Sequence, residues 1–117
     1  MQLKVTDVER LKKQVRKLAA GQVLSGGGAD TCLDLGHMEG CQARIAAGYG
    51  PLSRTPQIIP QDRLIWILDG YAEVHDNAGG VLNISQGEST VLFSGEAYRL
   101  VFPQLTIYLM VERTEKA

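Results

Sequence analysis

Three side chains within ten positions could ligate a metal: Cys32, His37 and Cys41, with Asp34 and Glu39 interleaved. Their spacing is C-x4-H-x3-C. Zinc sites favour tight pairs such as C-x2-C together with a second cluster, and the chain has no second cluster. The pattern therefore reads as two free thiols in a reducing compartment, on neighbouring strands or loops. The other histidine, His75, stands beside Asp76 and reads as a surface residue. Gly26, Gly27 and Gly28 form a flexible loop, but SGGGAD lacks the Lys-Ser/Thr and the preceding apolar strand of a phosphate-binding loop. Arg10, Lys12, Lys13, Arg16 and Lys17 place five basic residues in eight positions, a charge suited to an acidic partner surface.

The elements that must position these groups fit one small domain. At about 150 residues per domain, 117 residues make a single domain spanning 1–117. A hydrophobic content of 44% and a charged content of 21% suit a globule with one core. Twelve Lys and Arg against 13 Asp and Glu leave a net charge of -1, which excludes the strong global positive field of a nucleic-acid binder. No apolar run approaches the ~18 residues of a membrane span, and the N-terminus has no signal-like stretch, so a cytoplasmic protein is expected.

Residues 6–20 read as an amphipathic helix. Thr6 and Glu9 form a capping box, and Gly21 is placed to end the helix. Val8, Leu11, Val15 and Leu18 make its apolar stripe. Its basic face is a candidate docking surface for a partner. Beyond it, residues 30–112 read as a barrel of short strands at 31–35, 42–47, 63–68, 71–75, 81–84, 90–93, 97–102 and 105–111. They are rich in Val, Ile, Leu, Thr and Tyr and are broken about every 8 to 12 residues by Gly, Pro, Asn and Asp. The fold class is all-β, a double-sheet jelly roll with an N-terminal α-helix.

The glycine spacing resembles the cupin superfamily. Gly50-x5-Pro56-x-Ile58-x4-Arg63-x6-Gly70 has the spacing of the first cupin block, and Gly87-x5-Phe93-x-Gly95-x2-Tyr98-x3-Phe102 that of the second. Metal-binding cupins offer His, His, Glu and a second-block His. The matching positions here are Pro56, Ile58, Arg63 and Tyr98, and a shift of the first pair by one gives Gln57 and Ile59. Pro and Ile have no ligating atoms, and a guanidinium repels a divalent ion. The resemblance thus implies the cupin frame without its metal, and no cofactor is expected. The run Asp62–Gly70 is also similar to that of ethanolamine-utilisation (EutQ-type) cupins, which likewise lack the His set.

By this resemblance Ile58, Arg63 and Tyr98 point into the barrel. Strand alternation adds Ile65 and Ile67 to the face of Arg63, and Leu100 and Phe102 to that of Tyr98. Arg44 is a second candidate cation. The expected pocket is apolar with one guanidinium and one phenol, suited to a small carboxylate or phosphate. Arg63 could instead be paired with Glu73, Glu88 or Glu96, and Tyr98 could be a core phenol.

Three functions follow. One is a metal-independent cupin binding a small anionic metabolite, as sensor or accessory protein. Another is a metal-free isomerase, epimerase, cyclase or lyase using Tyr98 as acid or base, its pKa lowered by a cation, and Arg63 as anion holder. The last is a structural docking accessory, associated with a microcompartment. A homodimer is expected, with Leu64, Trp66, Leu68, Ile107, Leu109 and Val111 supplying apolar area.

Overall fold

The computed structural model describes residues 5–114. Helix α1 spans Val8–Leu24. Its N-cap is Asp7, not Thr6: the Asp7 side chain accepts from the Arg10 amide at 3.1 Å. Gly21 does not end it. The helix runs one turn further, Ser25 Oγ donates to the Gly21 carbonyl at 3.0 Å, and the left-handed residue is Gly26 at φ 99°. The buried stripe is Leu11, Val15, Ala19 and Val23, while Val8 and Leu18 are 41% and 47% exposed. Ala19 sets this rotation. Without a bulky side chain it lets the helix lie close on the sheet, so the i, i+4 row through Val15 becomes the contact line. On the basic face, Arg16 pairs with Asp69 and Lys12 with Glu9, leaving Arg10, Lys13 and Lys17 exposed.

Eight strands follow: β1 (Ala29–Met38), β2 (Cys41–Pro51), β3 (Gln57–Ile58), β4 (Arg63–Asp69), β5 (Tyr71–Asp76), β6 (Val81–Ser85), β7 (Ser89–Leu92) and β8 (Ala97–Arg113). The barrel region is thus 29–113. The expected strands at 97–102 and 105–111 are one strand of 17 residues, and the two-residue β3 was not anticipated. The C-terminal half of β8 lies between β2 and β4, and its N-terminal half pairs with β3 and β5. Pro103 does not end β8. The β2–β8 register jumps from Gly48↔Thr106 to Gly50↔Phe102, so the proline falls in the irregularity, where no ladder amide is needed.

Alternation along the strands separates two cores. Ala46, Ile65, Ile67, Ala72, Val74, Leu100, Phe102 and Tyr108 share the barrel interior, where the Phe102 and Tyr108 rings stack at 5.0 Å. Ile45, Ala47 and Ile107 face the other way and are covered by α1. Ile107 is therefore buried beneath the helix and cannot serve a dimer face. Trp66, 45% exposed, lies on the outer side opposite Leu109, and Leu64 lies opposite Val111.

Two glycines are required by close approach. A Cβ on Gly48 would meet the Phe102 ring at 2.5 Å, so the ring packs on bare backbone. Gly70 has φ +120°, and its Cβ would fall 2.9 Å from Thr106 Cα. Thr106 is fully buried; its hydroxyl accepts from the Tyr71 amide at 3.1 Å and lies 2.9 Å from the Tyr71 carbonyl. Gly70→Ala combines backbone strain with a clash and is expected to lower unfolding free energy by about 3 kcal/mol in urea titration. An unchanged midpoint would refute this packing.

Candidate functional site

The site is built at the end of the barrel where β4 begins. Arg63 on β4 stands opposite Glu112 on β8, and Nη2 meets Oε2 at 2.6 Å. Arg44 on β2 reaches the same carboxylate at 3.4 Å and Asp34 on β1 at 3.5 Å. Gln42 accepts from Arg44 Nη2 at 2.8 Å and donates to Asp34 at 3.0 Å. A row of alternating charge thus crosses four strands. Arg63 is not a lone cation, and its partner is Glu112 rather than Glu73, Glu88 or Glu96. Glu112 lies one residue beyond the last expected strand, 105–111, but β8 runs through it to Arg113. The pairing leaves the guanidinium under-satisfied: Nε is buried with no partner.

Beside this row lies a cavity of about 220 Å³ lined by Asp30, Leu52, Ser53, Gln57, Ile59, Arg63, Leu92, Tyr98 and Leu100. Arg63 and Tyr98 meet here, with Leu100 on the face of Tyr98. Ile58 does not line it and is 72% exposed. β3 pairs Gln57↔Tyr98 and Ile58↔Ala97, and this register turns Gln57 and Ile59 inward. Ile65, Ile67 and Phe102 are wholly buried in the packed interior and do not reach the cavity. Arg44 is held in the charge row and does not line the cavity either.

Asp30, Ser53 and Gln57 are polar lining residues that the block spacing did not reveal. The signal for Asp30 was the glycine loop before it. A Cβ on Gly28 would lie 2.6 Å from the Tyr49 carbonyl, so only bare backbone lets the chain enter β1 here, with Ala29 opposite Tyr49 and Asp30 opposite Gly48. Gln22 of α1 then accepts from the Asp30 amide at 2.9 Å.

The electrostatics distinguish the groups. Partial burial pushes the Asp30 carboxyl above its ordinary pKa, and the Arg63 charge opposes that rise. Tyr98 also moves upward. Desolvation is the largest cause, a hydrogen bond at the Phe93 backbone opposes it, and the Glu96 and Asp76 charges add to it. Its hydroxyl donates to Glu96 Oε1 at 3.2 Å. The expectation of a cation lowering the Tyr98 pKa is thus reversed, and the phenol stays a protonated donor. Buried Tyr108 is pushed upward by burial as well. His75 pairs with Glu73 at 2.8 Å and stands opposite Arg99, on the side of β5 away from inward Ala72 and Val74.

The donor set at the cupin ligand positions does not fit a divalent ion. Ile58 points outward, Arg63 is cationic, and Pro56 and Ile58 have no ligating side-chain atom. Cys32 and Cys41 are free, standing opposite Ala46 and Met38, with His37 opposite Gln42. Among the described residues no three His, Cys, Asp or Glu side chains form a group able to hold a metal ion. Nor, among them, is any helix long and apolar enough to cross a membrane.

No protein-family model and no curated protein matches the sequence. Solved structures do match. The EutQ protein of Clostridium difficile superposes with a TM-score of 0.64 at 15% identity, covering 74% of this chain and 69% of that one. A cupin-2 domain protein of Shewanella frigidimarina gives 0.65 at 12% identity, over 86% and 97%. An RmlC-like cupin of Desulfovibrio desulfuricans gives 0.59 at 14%, over 72% and 81%. With its helix, its β8-centred sheet and these neighbours, the chain is a cupin in fold, an all-β jelly roll with EutQ among its structural relatives.

Proposed function

We propose that the chain is a metal-independent cupin that binds a small metabolite in the mouth cavity, acting as a sensor or accessory protein, with an acid group of the ligand on Arg63. The observation that carries this is the convergence of Arg63, Tyr98, Ser53, Gln57 and Asp30 on one small cavity with otherwise apolar walls. The buried, unpartnered Nε marks a guanidinium whose capacity its single bond to Glu112 does not fill. Fold alone carries no ligand, so the names of the EutQ neighbours extend to this chain only by analogy. A catalytic reading has one observation in its favour: Glu96 supplies a second titratable group within reach of the Tyr98 hydroxyl. Its raised pKa makes Tyr98 a proton donor in that reading, not a base.

A thermal-shift screen of small carboxylates, sugar phosphates and amines tests the binding reading. An acid is expected to raise the melting temperature of the wild type and of Arg44→Ala, but not of Arg63→Ala. No shift with any of these ligands would remove a site for a plain acid, and a shift that survives in Arg63→Ala would remove Arg63 from the site.

Asp30 gives a pH test that needs no ligand. A carboxyl whose pKa is raised on folding costs stability at any pH above its folded value, and the cost disappears below its unfolded value, 3.8. Asp30→Asn is therefore expected to be more stable than the wild type at pH 7, with the difference gone well below pH 3.8, as read from urea unfolding. A variant less stable at pH 7 would contradict the shift.

A further inference from the structure

The mouth cavity holds two opposite charges that do not meet. Asp30 from β1 and Arg63 from β4 both line it. Arg63 acts electrostatically on the Asp30 carboxyl, yet among the described residues no ion pair within 4.0 Å joins them. The guanidinium bonds Glu112 through Nη2 alone, and Nε has no partner. The Asp30 amide is taken by Gln22, and among the described residues its carboxyl oxygens take part in no hydrogen bond. An under-used donor and, at the exposed rim, an acceptor of opposite charge therefore share one open cavity.

Charge balance narrows what fits between them. Asp30 and Glu112 are two anions beside Arg63, and adding Arg44 and Asp34 leaves the same excess of one negative charge. A plain carboxylate or phosphate would add to that excess and leave Asp30 unpaired. A molecule carrying both a carboxylate and an ammonium adds no net charge and satisfies both groups. The volume, about 220 Å³, corresponds to roughly seven water molecules, room for roughly six to eight non-hydrogen atoms of a seated ligand. Leu52, Ile59, Leu92 and Leu100 suit a short aliphatic side chain.

We propose that the cavity recognises a small aliphatic amino acid as its zwitterion, carboxylate on Arg63 and ammonium on Asp30. This rests on the reading of the mouth as the ligand site and names the ligand class within it.

Titration calorimetry on the full chain tests it with L-alanine and L-valine against propionate, isovalerate, ethylamine and isobutylamine, which lack one charge each. An amino acid is expected to bind about tenfold or more tightly than its one-charge analogues. Asp30→Asn should reduce amino-acid binding to the level of the plain acid. The comparison of ligands on the wild type stands without any variant. Equal or tighter binding of propionate or isovalerate, or amino-acid binding that Asp30→Asn leaves unchanged, would overturn the zwitterion while leaving an anion site at Arg63. If neither amino acid binds but the thermal-shift screen finds an acid dependent on Arg63, again only the zwitterion falls. If nothing binds in either experiment, the ligand site falls with it.

Discussion

The period of two along a strand is the constraint on which the rest of the molecule depends. Each residue of β2, β4 and β8 belongs either to the barrel interior or to the outer face, and neighbours take opposite sides. Ala46 faces the barrel while Ile45 and Ala47 lie under α1. Tyr108 stacks on Phe102 while adjacent Ile107 meets the helix. The same parity puts Arg63 with Ile65 and Ile67 and turns Trp66 outward. A slip of one residue would exchange the two cores and expel the guanidinium from the mouth.

The frame was legible because glycine reports backbone geometry directly. Gly50, Gly70, Gly87 and Gly95, the positions of the cupin spacing, all have positive φ. Strand existence was legible for β4 to β7 from β-rich runs between turn residues. β3 was not, because two residues in the three-residue stretch between Pro56 and Pro60 carry no period, and the expectation for Ile58 fails with it: the inward pair is Gln57 and Ile59. The helix bounds differ from the sequence expectation because a good cap, Thr6, stands one residue before the one used, and because Gly21 sits inside the helix although its type suits a terminus.

Within the site, the meeting of Arg63 and Tyr98 could be carried over from block spacing, but the partners of Arg63 could not. Glu112 lies 49 residues from Arg63 in sequence, and only the β4–β8 register brings the two together. A carboxylate on one edge of a guanidinium orients it and removes most of its net charge. It converts a simple anion trap into a directional donor, one that answers to the hydrogen-bonding pattern of what it meets. Asp30 is not legible from the spacing for a different reason: it lies outside both blocks, and its place is set by the backbone approach at Gly28.

Strand β8 has a bearing on the order in which the barrel can form. β2, β3, β4 and β5 all draw ladder partners from Ala97–Arg113, so none of those four strands is fully paired until this segment arrives. The β1–β2 and β5–β6 hairpins and α1 are local and can form early. The mouth cannot, because it needs Arg63 from β4, Glu112 and Tyr98 from opposite ends of β8, and Asp30 from β1. Until residue 113 is available, β2 and β5 each lack one of their two ladder partners, whatever local structure forms first. Barrel closure and the assembly of the mouth cavity are then a single late event.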